Sequence, residues 1–459
     1  MNLVARQVHD FRQTLASYPP AFRTIFYGSL VQAAGVSMIW PFMTVYMREN
    51  LGVAVATVTL LITMENIIGT ASTSISGMVV DKFGRKTAMV VAMTVSGLVL
   101  LGMSMVHTLF LWAALMAIRG LFDPMFGVSS SATVADLIPD EQRAGAYAQL
   151  RIAHNVGVAV GPAVGGLLIA ISYTPVFLIG TAVTLGFALL IARVVPETLP
   201  RLAKNPVSAS SEGEHPHPLT PSPLSIEGEQ KVSFGYGTVL KDRRFVLYCL
   251  YFTLTVMTYL MVMTLLPVFM KDEYGIRESY FGIMMTINAL MVVTIEFGLT
   301  KWVSAKFKLE HILAVGALTY ALTAVIIVGS NVFAGFLIAM ILMTVGEILM
   351  MPNSMTYVAN LATEEARGRY MGVYGLTWRV GAAIGPLMGG LLNDHISPHA
   401  VWVAAAVFSF AAVVGFVQMA RYAIGPASAP VAKAVIETPA PIVTSSNPVL
   451  EVEAVAEVV

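Results

Sequence analysis

Twelve separate apolar stretches run through this chain, near residues 22–47, 55–79, 87–107, 109–134, 144–171, 175–195, 245–270, 279–302, 311–330, 332–358, 368–393 and 399–422. Each is about twenty residues or longer, enough for a helix to cross roughly 30 Å of hydrocarbon while satisfying its own backbone groups. The expected fold class is therefore an all-α integral membrane protein with twelve transmembrane helices. Composition agrees, because 56% of the 459 residues are hydrophobic and only 12% are charged, against about a quarter charged in soluble domains.

Lys and Arg orient the helices, since loops rich in them stay in the cytoplasm. With the N-terminus inside, 22 of the 27 basic residues fall on the cytoplasmic side, including Lys82, Arg85, Lys86, Arg143, Lys241, Arg243, Arg244, Lys301, Lys306 and Lys308. Arg48, Lys271 and Arg277 fall outside, and Arg119 and Arg379 fall within helices. The N-terminus lacks the apolar core and cleavage site of a signal peptide, so the first apolar stretch is expected to remain as a helix. The expected organisation is a cytoplasmic segment 1–21, a six-helix bundle 22–195, a linker 196–244, a second six-helix bundle 245–422 and a cytoplasmic tail 423–459, in a cell membrane.

The linker, rich in Pro, Ser, Gly and Glu between 201 and 235, has too little apolar surface to fold and is expected to be a mobile tether; the tail is expected to be disordered too. Its His215 and His217 read as solvated loop rather than as metal ligands. The single cysteine, Cys249, permits neither an intramolecular disulfide nor a thiolate metal cluster. A net charge of zero gives no electrostatic footprint for nucleic acid. No metal site, cofactor or nucleic-acid partner is expected, and one chain is expected to suffice as a functional monomer in its lipid bilayer.

A shift of 224 residues aligns the chain with itself: Gly157, Gly161, Pro162, Gly165 and Gly166 fall on Gly381, Gly385, Pro386, Gly389 and Gly390. The same shift places Val134, Ala135 and Leu137 on Val358, Ala359 and Leu361, and Glu141 and Arg143 on Glu365 and Arg367. Two six-helix halves of one topology, related by an axis along the membrane normal, describe a transporter whose site lies between the halves.

Twelve helices, a central loop, "GMVVDKFGRK" after helix 2 and Gly-Pro pairs in helices 5 and 11 together resemble the major facilitator superfamily, particularly its bacterial drug-efflux branch. The resemblance covers about 22–422. Its loop 2–3 pattern is matched by Gly77, Asp81, Lys82, Gly84, Arg85 and Lys86. "GVAVGPAVGG" resembles the antiporter motif of helix 5, although position 148 is alanine where the motif has glycine. "LMAIRGLFDP" resembles the helix 4 arginine motif, with Asp123 where the family has glycine, and "VPET" resembles the end of helix 6. The resemblance implies that Asp81 and Arg85 join Asp136 and the start of helix 11, near Arg367 and Gly368, in a lock that holds the outward-facing state. The repeat sharpens that point: "DKFGRK" falls on "AKFKLE" (305–310), which lacks the acid and the glycine, and Asp136 falls on Asn360. The acid-glycine-base pattern thus exceeds what orientation requires.

Six ionisable residues fall inside the apolar stretches: Glu65 in helix 2, Arg119 and Asp123 in helix 4, Glu296 in helix 8, Glu347 in helix 10 and Arg379 in helix 11. A charge near the bilayer centre costs at least about 2.5–3.5 kcal/mol on insertion scales, so each is a candidate functional group and none is expected to face lipid. Asp123 and Glu347 occupy matching positions of the repeat. In the family, helices 1, 4, 7 and 10 line a central cavity, so these two carboxylates are expected to face it and to bind a cation or carry protons. Arg119, one turn before Asp123, holds it charged, whereas Met343 stands at the matching place before Glu347. Glu347 is therefore the expected proton carrier; the competing reading is a structural Arg119–Asp123 pair and a backbone-bound Glu347. Helices 2 and 11, and 5 and 8, pack between the halves in the family, which suggests latches of Glu65 with Arg379 and of His154 with Glu296.

Tyr27, Gln32 and Trp40 on helix 1, Tyr251 and Tyr259 on helix 7 and Asn288 on helix 8 are candidate cavity contacts, and the 27 methionines suit adaptable apolar walls. The glycines spaced every four residues let backbones approach closely, and Pro162 and Pro386 can bend their helices, which suits helices rocking between the halves. The function expected is proton-coupled efflux of small hydrophobic or cationic compounds by alternating access. Uptake of a sugar or organic anion, or a membrane sensor without transport, are the competing readings. No GxSxG, HExxH or P-loop sequence is present, which argues against an enzyme and against ATP-driven transport.

Overall fold

The computed structural model describes residues 13–199, 236–363 and 366–422; the linker 201–235 and the tail from 423 lie outside the described residues. Twelve long helices form α1 (Pro20–Leu51), α2 (Val55–Phe83), α3 (Arg85–Met105), α4 (Leu109–Leu137), α5 (Asp140–Ile169), α6 (Thr174–Val194), α7 (Arg243–Tyr274), α8 (Glu278–Lys306), α9 (Leu309–Gly329), α10 (Phe333–Leu361), α11 (Arg367–His395) and α12 (Pro398–Tyr422). A 3₁₀ turn at Trp40–Phe42 interrupts α1. Among the described residues, eleven of the twelve are long and apolar enough to cross a membrane. The exception is α11, which carries Arg367, Arg369, Arg379 and Asp394. It packs against α7 on one side and α2 on the other.

Several helices outrun the apolar stretches at the end that bears the basic loops: α2 continues to Phe83, α4 to Leu137 and α8 to Lys306. Only the part in hydrocarbon has to be apolar, and the added turns carry charge beyond it. The stop after α2 is Gly84, whose φ of 99° lies where a side chain is disfavoured. The end with the basic loops is termed the basic end, and the opposite one the far end.

Packing follows the repeat. In the first six helices the main contacts are α1 with α5 and α6, α2 with α4, and α3 with α4 and α6; in the last six they are α7 with α11, and α10 with α8 and α9. The largest contacts between the groups are α2 with α11 and α5 with α8, and the far end of α1 also meets α7. Small residues set how closely these helices approach. Gly157 packs on Ala33 and Ala34, Gly161 on Ala34 and Ser37, and Gly165 on the Met38 backbone, all of α1. Gly381, Gly385 and Gly389 pack on Val256, Met257 and Leu265 of α7 in the same way. These glycines, expected at the sliding surface between halves, therefore clamp helices within each half. The second glycine of each Gly-Gly pair turns outward: Gly166 meets Gly282 of α8, and Gly390 meets Ala56 and Thr59 of α2. Adjacent positions point about 100° apart on a helix, so one pair serves both contacts. Pro162 and Pro386 sit inside their helices.

A Cβ at position 157 would come 2.7 Å from the Ala33 side chain and 2.9 Å from the Ala34 nitrogen. Overpacking of this kind costs about 1–3 kcal/mol. Gly157→Val is expected to lower the thermal midpoint by several degrees in detergent, while Gly186→Val, with no atom within 4 Å, leaves it unchanged; equal midpoints would remove the clamp.

Candidate functional site

The first cluster forms where α2 and α4 touch at Gly120, whose absent Cβ would lie 2.6 Å from the Glu65 carbonyl oxygen. That approach brings the Glu65 and Arg119 side chains together. Arg119 Nε lies 3.5 Å from Glu65 Oε1 and 3.0 Å from Asp123 Oδ2. Ser96 of α3 donates to Asp123 Oδ1 at 2.5 Å. One guanidinium is thus held by two carboxylates. The expected Glu65–Arg379 latch is not made: Glu65 is engaged within its own half, and Arg379 lies on Thr70 (3.2 Å) and Thr73 (3.3 Å), one to two turns nearer the basic end. Arg379 crosses between the halves as expected but with hydroxyls as partners, and it is exposed, against the expectation that intramembrane charges are covered.

The second cluster surrounds Glu347, halfway along α10. Asn288 of α8 donates to Glu347 Oε2 at 2.9 Å and to Thr344 Oγ1 at 2.9 Å, and the Tyr259 hydroxyl is hydrogen-bonded to Glu347. Tyr259 also packs its ring 5.9 Å from Trp378 and 6.4 Å from Tyr320. Among the described residues no cation lies within ion-pair distance of Glu347, whereas Asp123 has one. The clusters are related by the repeat: Ser96 and Asp123 fall on Tyr320 and Glu347. Each carboxylate bonds to partners of its own half.

Of the other expected contacts, Asn288 and Tyr259 join this cluster. Tyr251 does not: its ring packs against Gly415 and Phe416 of α12. Tyr27 and Trp40 are exposed and Gln32 is half-buried on α1, away from both clusters. Glu296 has Arg151 of α5 as the cation within electrostatic reach, and no ion pair joins it to His154 among the described residues. Thr344, Tyr320, Trp378, Thr70 and Thr73 lie outside the residues that the sequence singles out. The repeat offers a signal for Tyr320 alone, through Ser96.

The contacts that close the two halves lie at the far end. Arg48 pairs with Asp272, and Lys271 bridges Glu49 and Glu278. Tyr173 donates to Glu278 at 3.0 Å, Arg277 to the Ala170 carbonyl at 3.2 Å, and the Ala56 amide to Asp394 at 2.6 Å. A cavity of about 480 Å³ beside them is lined by Tyr46, Asn50, His107, Lys271, Arg277 and Glu278, among others. At the basic end each half keeps its own network. Arg85 Nε lies 3.1 Å from Asp136 and its NH1 3.3 Å from Asp81. Glu197 of "VPET" accepts from the Arg85 amide at 2.9 Å, capping α3, and Thr198 donates to Asp136 at 2.7 Å. Gly77 has open space where a side chain would go; Lys82 lies over the Phe83 ring at 5.4 Å, and Lys86 is half-buried. In the second half Arg244 pairs with Glu310 at 2.8 Å and Tyr370 donates to Asp242 at 2.8 Å. Among the described residues, no hydrogen bond or ion pair ties Arg85 or Asp136 to Arg367 or Gly368.

Comparison with known proteins places these clusters in a family. The model of the Major Facilitator Superfamily matches residues 25–294 and 248–453. A Na(+), Li(+), K(+)/H(+) antiporter of Planococcus maritimus is 25% identical over 76% of this chain and 84% of its own. The multidrug resistance protein MdtH of Klebsiella pneumoniae is 25% identical over 80% and 85%. A crystal structure of the peptide transporter POT superposes with a TM-score of 0.68 at 13% identity, over 90% of this chain and 97% of that one, which supports the fold. With the family model covering nearly all twelve helices, the chain belongs to the major facilitator superfamily, a multi-pass membrane protein that works as a secondary transporter and not as an enzyme.

Proposed function

We propose that this transporter exports small hydrophobic or cationic compounds in exchange for protons, with its basic end and both termini in the cytoplasm. The observation that carries the reading is the contrast between the two matched carboxylates. Asp123 has the Arg119 guanidinium, shared with Glu65, as an ion-pair partner, whereas the partners of Glu347 are the neutral donors Asn288 and Tyr259. A carboxylate in hydrocarbon without a cation is costly. A proton or a cationic substrate relieves that cost, and the two exclude one another at one carboxyl group, which is the basis of exchange. The Klebsiella relative's name, a multidrug resistance protein, and the Planococcus relative's, a cation/H(+) antiporter, favour the same direction. The excess of basic loops on one side supports the orientation. Far-end closure, through Arg48–Asp272, Lys271–Glu49 and the hydrogen bonds beside them, then fits a conformation open to the cytoplasm.

In cells lacking their own pumps, the wild type is expected to lower ethidium accumulation, and an uncoupler to abolish the difference. Glu347→Gln should reduce proton-driven efflux by about tenfold or more, the effect of some 1.4 kcal/mol or more on the coupled step, while Asp123→Asn retains more of it. Full efflux by Glu347→Gln with loss in Asp123→Asn would reverse the assignment.

Lys271 tests the conformational part. Partly exposed ion pairs contribute about 1 kcal/mol at most, so Lys271→Gln should shift the population toward far-end opening by roughly fivefold. Spin labels at Ala54→Cys and Glu273→Cys, in a Cys249→Ser background, should then show a longer distance component. An unchanged distribution would mean that Lys271 does not hold the far end shut.

A further inference from the structure

A cleft of about 380 Å³ opens between α2 and α11, with Ile67, Ala71, Leu376 and Val380 as apolar wall and Thr70 and Arg379 as polar floor. It is separate from the Glu347 cluster and from the far-end cavity. Its electrostatics are one-sided. Arg379 donates to Thr70 and Thr73 at 3.2 and 3.3 Å. Those hydroxyls donate their own protons to the α2 backbone, Thr70 to Asn66 O and Thr73 to Gly69 O, each at 2.8 Å, so they meet the guanidinium purely as acceptors. A guanidinium carries five N–H donors, and two are used. Among the described residues no carboxylate lies within ion-pair distance of Arg379, whereas Arg119 of α4 has two. Packing does not demand the cation: the matching position in the first half is Asn155.

A permanent cation in a mostly apolar cleft is a receptor for an anion with an apolar body, because a carboxylate or phosphate takes paired N–H donors from guanidinium and hydrocarbon takes the apolar wall. We propose that the α2–α11 cleft binds an anionic amphiphile, its carboxylate or phosphate head on Arg379 and its chain along Ile67, Ala71, Leu376 and Val380. The head group can come from a membrane phospholipid or from a free amphiphile reaching the cleft sideways. This site is independent of the proton-exchange reading, since its occupant is an anion and its measurement is binding.

The full chain is placed in phosphatidylcholine nanodiscs and titrated with radiolabelled dodecanoate, and in parallel in discs containing phosphatidylglycerol, with retained lipid counted by native mass spectrometry. The wild type is expected to bind in at least one arm, and Arg379→Gln to bind about tenfold less, the usual scale for losing a charge-assisted pair. Loss in the dodecanoate arm identifies a free amphiphile, and loss in the phosphatidylglycerol arm a membrane lipid. Leu376→Trp fills the apolar wall while keeping the arginine, and should lower the same signal, which keeps the test decisive if Arg379→Gln fails to fold. Equal binding by wild type and both variants in both arms, or equal binding of dodecyltrimethylammonium, overturns the proposal.

Discussion

A charge inside hydrocarbon has to be met by a counter-charge, a proton or a ligand, and the placement of six intramembrane ionisable groups in this chain follows from that constraint. Arg119 meets it with Glu65 and Asp123, a cluster that also ties α2, α3 and α4 together through Ser96. Glu347, at the matching position of the other half, meets the neutral donors Asn288 and Tyr259. The two halves thus share one architecture and differ in charge state. The first half has one cation for two carboxylates, and Glu347 has none within ion-pair distance among the described residues.

The scaffold that holds these groups is assembled from small residues. In α5 and α11 the first glycine of each Gly-Gly pair seats the helix on α1 or α7, and the second faces the other half. Contacts within a half are deep and rigid, interdigitating backbone with backbone. Contacts between the halves include smooth glycine crossings, hydrogen bonds between α2 and α11 at Thr63, Thr70 and Thr73, and the ion pairs around Lys271 and Arg48 at the far end. Smooth crossings tolerate relative rotation, while ion pairs on one rim bias its direction. That division suits the rocking of one half against the other that the proposed exchange requires.

Much of this is legible in the sequence, and what is not has a common cause. Twelve apolar stretches, the 224-residue repeat and the Arg119–Asp123 pair need only periodicity along one helix or along the chain. Partners across helices need rotation as well as depth. Counting residues puts Glu65 level with Arg379, but the close α2–α4 approach at Gly120 gives Glu65 to Arg119. Tyr251 sits on a helix expected to line the cavity, and its face belongs to α12. Glu197 is visible as part of a motif, yet its cap on α3 depends on where the chain returns after α6, which no local pattern records. The lock near Asp81 has the local members that the sequence suggests, Arg85 and Asp136.

The central claim is that Glu347 carries the exchangeable proton and Asp123 does not. Infrared difference spectroscopy on the purified full chain reads this directly, through the carbonyl stretch of a protonated carboxylic acid as pH is raised. The account predicts a titrating band present in the wild type and in Asp123→Asn and absent from Glu347→Gln. A band that survives in Glu347→Gln and vanishes in Asp123→Asn would contradict it.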